Sequence, residues 1–185
     1  MTASTLIKGT VVCLIAAFSL SLFAQNYTIS SGNKSGAGFT YETTPFPGGI
    51  KVTDLDKSKL TMDVKGPALI QVWSTCCGGE PELWDYLKGL RSVYEPKGLN
   101  FVSLNFENGA SGARQRMMVK KFFESQTKPE VLYLDNLGDA VDKLKVAGFP
   151  TYILVNGEGQ IIFKTNGKDA EGVAVMEEEL AKLLE

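Results

Sequence analysis

Ala68-Leu-Ile-Gln-Val-Trp73 is a nearly unbroken apolar run, the pattern of a strand covered on both faces. Downstream the period changes. Leu83, Leu87, Leu90 and Tyr94 recur at helical spacing and turn one stripe toward a core. Pro81 between Glu80 and Glu82 suits the first turn of that helix, and Pro96 with Gly98 stops it. Leu99–Leu104 reads as the next strand. Ser111 is placed to cap a helix running to about Ser125, with Met118, Val119, Phe122 and Phe123 inward and Arg114, Arg116, Lys120 and Lys121 as a solvated face. Val131–Leu134 predicts a strand, Asp139–Val146 a short helix and Tyr152–Val155 another strand. Asn156-Gly157 and Glu158-Gly159 turn the chain into Gln160–Lys164, a hairpin signal, before a last helix lined by Val173, Met176, Leu180 and Leu183. Ahead of the central strand, short alternating patches between Thr40 and Asp63, broken by Pro45, Pro47 and Gly48-Gly49, predict an edge hairpin or irregular strands. Helices alternating with the early strands, and a closing antiparallel hairpin, predict an α/β fold on a sheet of mixed direction.

The N-terminus follows another pattern. Lys8 is the only charged residue before an apolar run from Val11 to Ala24, and polar Gln25-Asn26 follow it. Residues 1–24 therefore read as a signal peptide cleaved after Ala24, although Leu22 is larger than the residue usually found at that cleavage position. The alternative is an uncleaved anchor, but Gly9 to Ala24 falls short of the ~20 residues a spanning helix needs. Val12 before Cys13 argues against lipidation there. Residues 25–44 read as a flexible entry segment, and 45–185 as a single domain with its own core.

A net charge of −2 gives no reason to expect nucleic acid or an anionic membrane as partner. Any membrane contact would come from an uncleaved signal segment, and a monomer is expected. The chain contains no histidine, which removes imidazole-based metal sites and any nucleophile activated by a neighbouring histidine. No metal and no cofactor are expected. Once the signal is removed only Cys76 and Cys77 remain, too few for a disulfide framework.

Those cysteines stand in Trp73-Ser-Thr75-Cys76-Cys77-Gly-Gly-Glu80, between the central strand and the first helix, where unpaired N–H groups favour a thiolate. Gly148-Phe149-Pro150-Thr151 opens a later apolar strand. The two segments, in this order and separation, resemble the thioredoxin superfamily and its exported TlpA/ResA-like (redoxin) branch, with its Trp-x-Thr-x-Cys-x-x-Cys pattern. The resemblance covers roughly Lys51 to Glu185. It implies a thioredoxin-like three-layer sandwich, a mixed central sheet flanked by helices, with a short N-terminal extension. It also implies that Cys77 is the nucleophile, and that Glu80 occupies the position of the resolving cysteine. By the same resemblance, Pro150 belongs to a cis-proline loop facing the site, and Trp73, Thr75, Phe149, Pro150 and Thr151 bind substrate. The departures are specific. Cys76 stands where the branch usually has Trp, Gly79 replaces a common proline, and Gln71 holds the place of a buried acid found in some relatives.

The chemistry then turns on few groups. A helix terminus favours the Cys77 thiolate by about 0.3–2 kcal/mol, and a carboxylate ~5 Å away at Glu80 opposes it by ~1–3 kcal/mol. Cys77 is therefore expected to be less acidic than the usual nucleophile of this branch. Glu80 reads either as a first-turn carboxylate or as a proton acceptor beside the thiol. Adjacent Cα atoms ~3.8 Å apart lie below the ~4.4–6.8 Å range of disulfides, so a Cys76–Cys77 disulfide is strained and Cys76 reads first as a small apolar neighbour. Three functions remain open. One is an exported monothiol redox protein working through Cys77 on protein or small-molecule thiols and disulfides. The second is a non-catalytic binding module using the groove beside Pro150, and the third a one-cysteine thiol peroxidase.

Overall fold

The computed structural model describes residues 38–185, so the signal and most of the entry segment lie outside the described residues. The apolar run forms β4 (Ala68–Trp73), all six residues of it buried. It is central, parallel to β5 (Asn100–Asn105) and antiparallel to β7 (Thr151–Val155). β8 (Gln160–Asn166) folds back on β7 through the expected Asn156–Gly159 turn, where the Asn156 side chain accepts from the backbone N–H groups of Glu158 and Gln160. β6 (Val131–Leu134) runs parallel to β5. The hairpin of β2 (Ile50–Thr53) and β3 (Lys59–Met62) closes that side, and β1 (Phe39–Pro45) closes the other by pairing with β8. The eight-stranded sheet thus has the order β1-β8-β7-β4-β5-β6-β2-β3.

Alternation along β4 sends Leu69, Gln71 and Trp73 to one face and Ala68, Ile70 and Val72 to the other. On the first face α1 (Pro81–Tyr94) and α4 (Ala170–Leu183) bury Leu83, Leu87, Leu90, Val173, Met176 and Leu180 against Leu69, Phe101, Tyr152 and Phe163. α2 (Gly112–Phe122) covers the same face nearer the end of β4, where Val119 joins Trp73, Trp84, Leu132 and Leu134. On the second face α3 (Asp139–Lys143) contributes Ala140 to a core with Ile50, Val52, Ile70, Val102, Leu104 and Ile153. Helix, sheet and helix form the three layers.

Three boundaries differ from the sequence reading. Residues 39–44 of the entry segment belong to a strand, held by the stacking of Phe39 on Phe163 at 5.6 Å and the edge of Tyr41 on the same ring at 5.2 Å. α2 ends at Phe122, and Met118 is only half-buried while Gln115 is buried in its place. α3 stops at Lys143 because Lys145 takes a left-handed conformation, φ 52°, which ends a right-handed helix.

Candidate active site

The site lies where β4 and β5, side by side and parallel, reach their C-terminal ends. β4 does not run straight into the helix. Ser74 and Cys77 exchange both backbone hydrogen bonds, at 3.1 and 3.0 Å, and make a tight turn with Thr75 and Cys76 at its corners. Gly78 follows with φ 101°, and α1 starts only at Pro81 with Glu80 as its N-cap residue. Both cysteines therefore precede the first helical turn. The expectation that Cys77 stands at the helix terminus is corrected: the left-handed Gly78 and the extended Glu80 separate it from the free N–H groups of α1.

The two sulfurs lie 2.9 Å apart. Cys76 is exposed and Cys77 half-buried, so Cys76 is not a packed apolar neighbour but the accessible thiol. Their acidities diverge. The contact with the Cys77 thiol, then that with Ser74, draws the Cys76 thiol below its ordinary range against burial and the charge of Glu107. The same contact with Cys76, together with burial, pushes Cys77 up; Glu80 adds to this and Lys168 subtracts from it. Cys76 is thus the more exposed of the two thiols and the one whose acidity is raised.

Glu107 is the feature the sequence reading missed. It is buried at the end of β5, its Oε1 accepting from the Thr75 N–H at 2.6 Å and from Asn105 Nδ2 at 3.0 Å. Its Oε2 accepts from the Ser74 hydroxyl at 3.1 Å, and Ser74 Oγ lies 3.2 Å from Cys76 Sγ. Gln115 fixes Asn105 in turn through bonds of 2.9 and 3.0 Å to its carbonyl and side-chain oxygens. The signal was present in the sequence: a lone acid just beyond a strand parallel to β4, at the end of the sheet where such folds place their ligands.

Glu80 faces the other way. It accepts from the Gly78 N–H at 2.9 Å and pairs with Lys168 at 3.2 Å. Burial raises its carboxyl, but hydrogen bonds from its own backbone and from Lys168 outweigh that and hold it below the usual carboxylate range. It is a clamped helix-start carboxylate rather than a free proton acceptor.

The Phe149–Pro150 peptide is cis, and its loop packs on the cysteine turn. A Cβ placed on Gly78 would come within 2.9 Å of Pro150 Cβ, and one on Gly167 within 2.8 Å of Pro150 Cγ. Of the residues expected to bind substrate, Trp73, Pro150 and Thr151 are buried, while Thr75 and Phe149 are partly accessible. Trp73 is corrected outright. It is fully buried, donates from Nε1 to Ser103 Oγ at 2.8 Å, and packs on Trp84 and Phe122, so it supports the turn from beneath. Gln71 is also fully buried, and neither of its side-chain polar atoms has a hydrogen-bond partner. A recess of about 540 Å³ lies away from the thiols, between Leu55, Lys57 and the Arg116–Lys121 side of α2.

No protein-family model matches the chain. It is 25% identical over 134 residues to the thiol-disulfide oxidoreductase ResA of Bacillus thuringiensis subsp. konkukian, covering 71% of this chain and 73% of that protein. A DsbE-type thiol:disulfide interchange protein from Chlorobium tepidum superposes with a TM-score of 0.63 at 18% identity, over 78% of this chain and 99% of the other. A secreted Mycobacterium tuberculosis disulfide oxidoreductase superposes with a TM-score of 0.52 at 17% identity, over 73% and 96% of the two chains.

Proposed function

For this chain, a thioredoxin-like fold with ResA- and DsbE-type thiol-disulfide oxidoreductases among its relatives, we propose an exported redox protein that exchanges thiols and disulfides through the cysteine turn. The observation that carries the reading is the exposed, acidified Cys76 thiol, in a turn packed against the Phe149–Pro150 loop. Cys76 attacks a disulfide of a protein or small molecule and becomes part of a mixed disulfide. Thr75 in the turn and Phe149 in the loop packed on it are partly accessible and offer contacts for a substrate. Glu80, tied to Lys168 and the Gly78 N–H, carries no sulfur and cannot release the intermediate. Export rests on the apolar run of residues 11–24 and on the secreted relative of the same fold.

A chromogenic aromatic disulfide tests the attack. Its thiol should be released rapidly by the parent, and at least about tenfold more slowly by Cys76→Ser, since the thiolate is the attacking species. Equal rates in parent and Cys76→Ser would remove Cys76 from the reaction. An inert parent would leave a binding module as the better account.

A further inference from the structure

We infer that Cys77 is the resolving thiol of this site, closing on Cys76 to release the bound substrate from within the chain. The inference rests on the proposed attack by Cys76 and deepens it. Three observations carry it. The sulfurs already touch, at 2.9 Å, and both belong to one turn locked by the Ser74–Cys77 backbone pair, so no segment has to swing to bring them together. The pair is divided as an attacker and a resolver need to be: one sulfur exposed, the other half-buried behind it. The position three residues on, where the resemblance places a resolving sulfur, is held by a carboxylate engaged elsewhere, and Cys76 and Cys77 are the free cysteines of the described residues.

The divergence of acidities supports the same assignment, because two titratable groups driven apart by their surroundings take opposite roles. The thiolate of Cys76 attacks one sulfur of the substrate disulfide, whose S–S bond breaks, and the first substrate thiol leaves with a proton from solvent. Cys76 is then no longer a thiolate beside Cys77, and the contact that most raised the Cys77 thiol is lost. Cys77 loses its proton to solvent, with Lys168 favouring the anion, and attacks Cys76 Sγ. The mixed disulfide breaks, the second substrate thiol leaves with a proton, and a Cys76–Cys77 disulfide remains. Two electrons have passed to the substrate, and an external thiol or dithiol reductant restores the pair.

Adjacent Cα atoms ~3.8 Å apart keep that disulfide strained, and strain makes a disulfide easier to reduce. The oxidised form is thus a labile catalytic state, suited to rapid return.

The test is incubation of the full chain with glutathione disulfide, acid quench and proteolytic mapping of the peptide holding both cysteines. The parent should yield that peptide lacking one pair of hydrogens and free of glutathione. Cys77→Ser and, as a second variant, Cys77→Ala should retain glutathione on Cys76 at a level at least about tenfold above the parent, because nothing displaces it. Glutathione retained by the parent as strongly as by both variants would overturn Cys77 as resolver while leaving attack by Cys76 intact. No adduct and no disulfide in any form would overturn the proposed function, and this inference with it.

Discussion

Ser74 has one hydroxyl proton and two neighbours that accept it: the Glu107 carboxylate at 3.1 Å and, once ionised, Cys76 at 3.2 Å. While the proton points at Glu107, Cys76 keeps only the help of Cys77. The Glu107 charge also opposes the thiolate directly. Glu107→Gln removes that charge and offers an amide N–H to Ser74 Oγ, freeing the hydroxyl to donate to sulfur. Its remaining oxygen can still accept from Thr75. The pH at which Cys76 alkylates at half its maximal rate should therefore fall in Glu107→Gln. It should rise in Ser74→Ala, which loses the second donor to the thiolate. Shifts of up to about one pH unit are expected, each worth ~1.4 kcal/mol between the protonation states. Alkylation followed by peptide mapping across pH measures both, and shifts of the same sign would show that Ser74 does not link the two groups. The sequence displayed the thiols but not this arrangement. Adjacency in sequence marks a Cys76–Cys77 disulfide as strained, whereas what distinguishes the two thiols in the fold is their exposure and the neighbours of each sulfur. Glu107 is thirty residues from the turn it anchors and lies in no motif, so only the parallel pairing of β4 with β5 brings it there.

β4, α1 and the β7–β8 hairpin were legible because each carries its own signal: an apolar run, a leucine stripe with proline at the start, and a turn rich in asparagine and glycine. The onset of α1 was legible and the placement of Cys77 at it was not, since a positive φ at Gly78 leaves no trace beyond the glycine itself. α3 is short for a related reason. Its start is fixed by Asp135 at the end of β6, whose Oδ2 accepts from the N–H groups of Ala140 and Val141 at 2.9 and 3.0 Å. Asp135 is buried and its Oδ1 has no partner. Burial pushes its carboxyl above the ordinary aspartate range, and the N–H groups of α3 offset this only in part. A folded pKa above the unfolded one means that folding favours the neutral acid. The stability this supplies is present below the unfolded pKa and is lost as pH rises through the folded value. Asp135→Asn keeps an oxygen for α3 and does not ionise. The difference in Tm between variant and parent should therefore move in the variant's favour from about pH 4 to about pH 7. A constant difference across that interval would mean that folding does not raise the Asp135 carboxyl.

At the scale of the whole molecule, the thiol turn depends on an order of strands in which the active centre sits mid-sheet and both edges are closed by segments of weak sequence signal. The β2–β3 hairpin covers one edge and β1 the other. The closure by β1 matters for the site through β8. That strand leads directly into Gly167, whose N–H donates to the Pro150 carbonyl at 2.8 Å, and into Lys168, which holds Glu80. β1 reads poorly in sequence because it is an edge strand with polar residues at Thr40, Glu42, Thr43 and Thr44. Its hold on the sheet is concentrated in Phe39 and Tyr41 around Phe163, and in the ion pair of Glu42 with Lys164 at 3.0 Å. Phe39 is only half-buried and Tyr41 is 61% exposed, so their loss should cost less than that of fully buried rings. A chain beginning at Gly38 should unfold in denaturant with the stability of one beginning at Gln25, whereas a chain beginning at Phe46 should lose about 1–3 kcal/mol. The same truncation bares the backbone of β8 as a new edge and uncovers Phe163, a surface prone to pairing with a second copy. Urea titrations of the three chains, with light scattering to follow association, decide the matter. Equal midpoints for all three would assign residues 38–45 to the entry segment in energetic terms, whatever their pairing with β8.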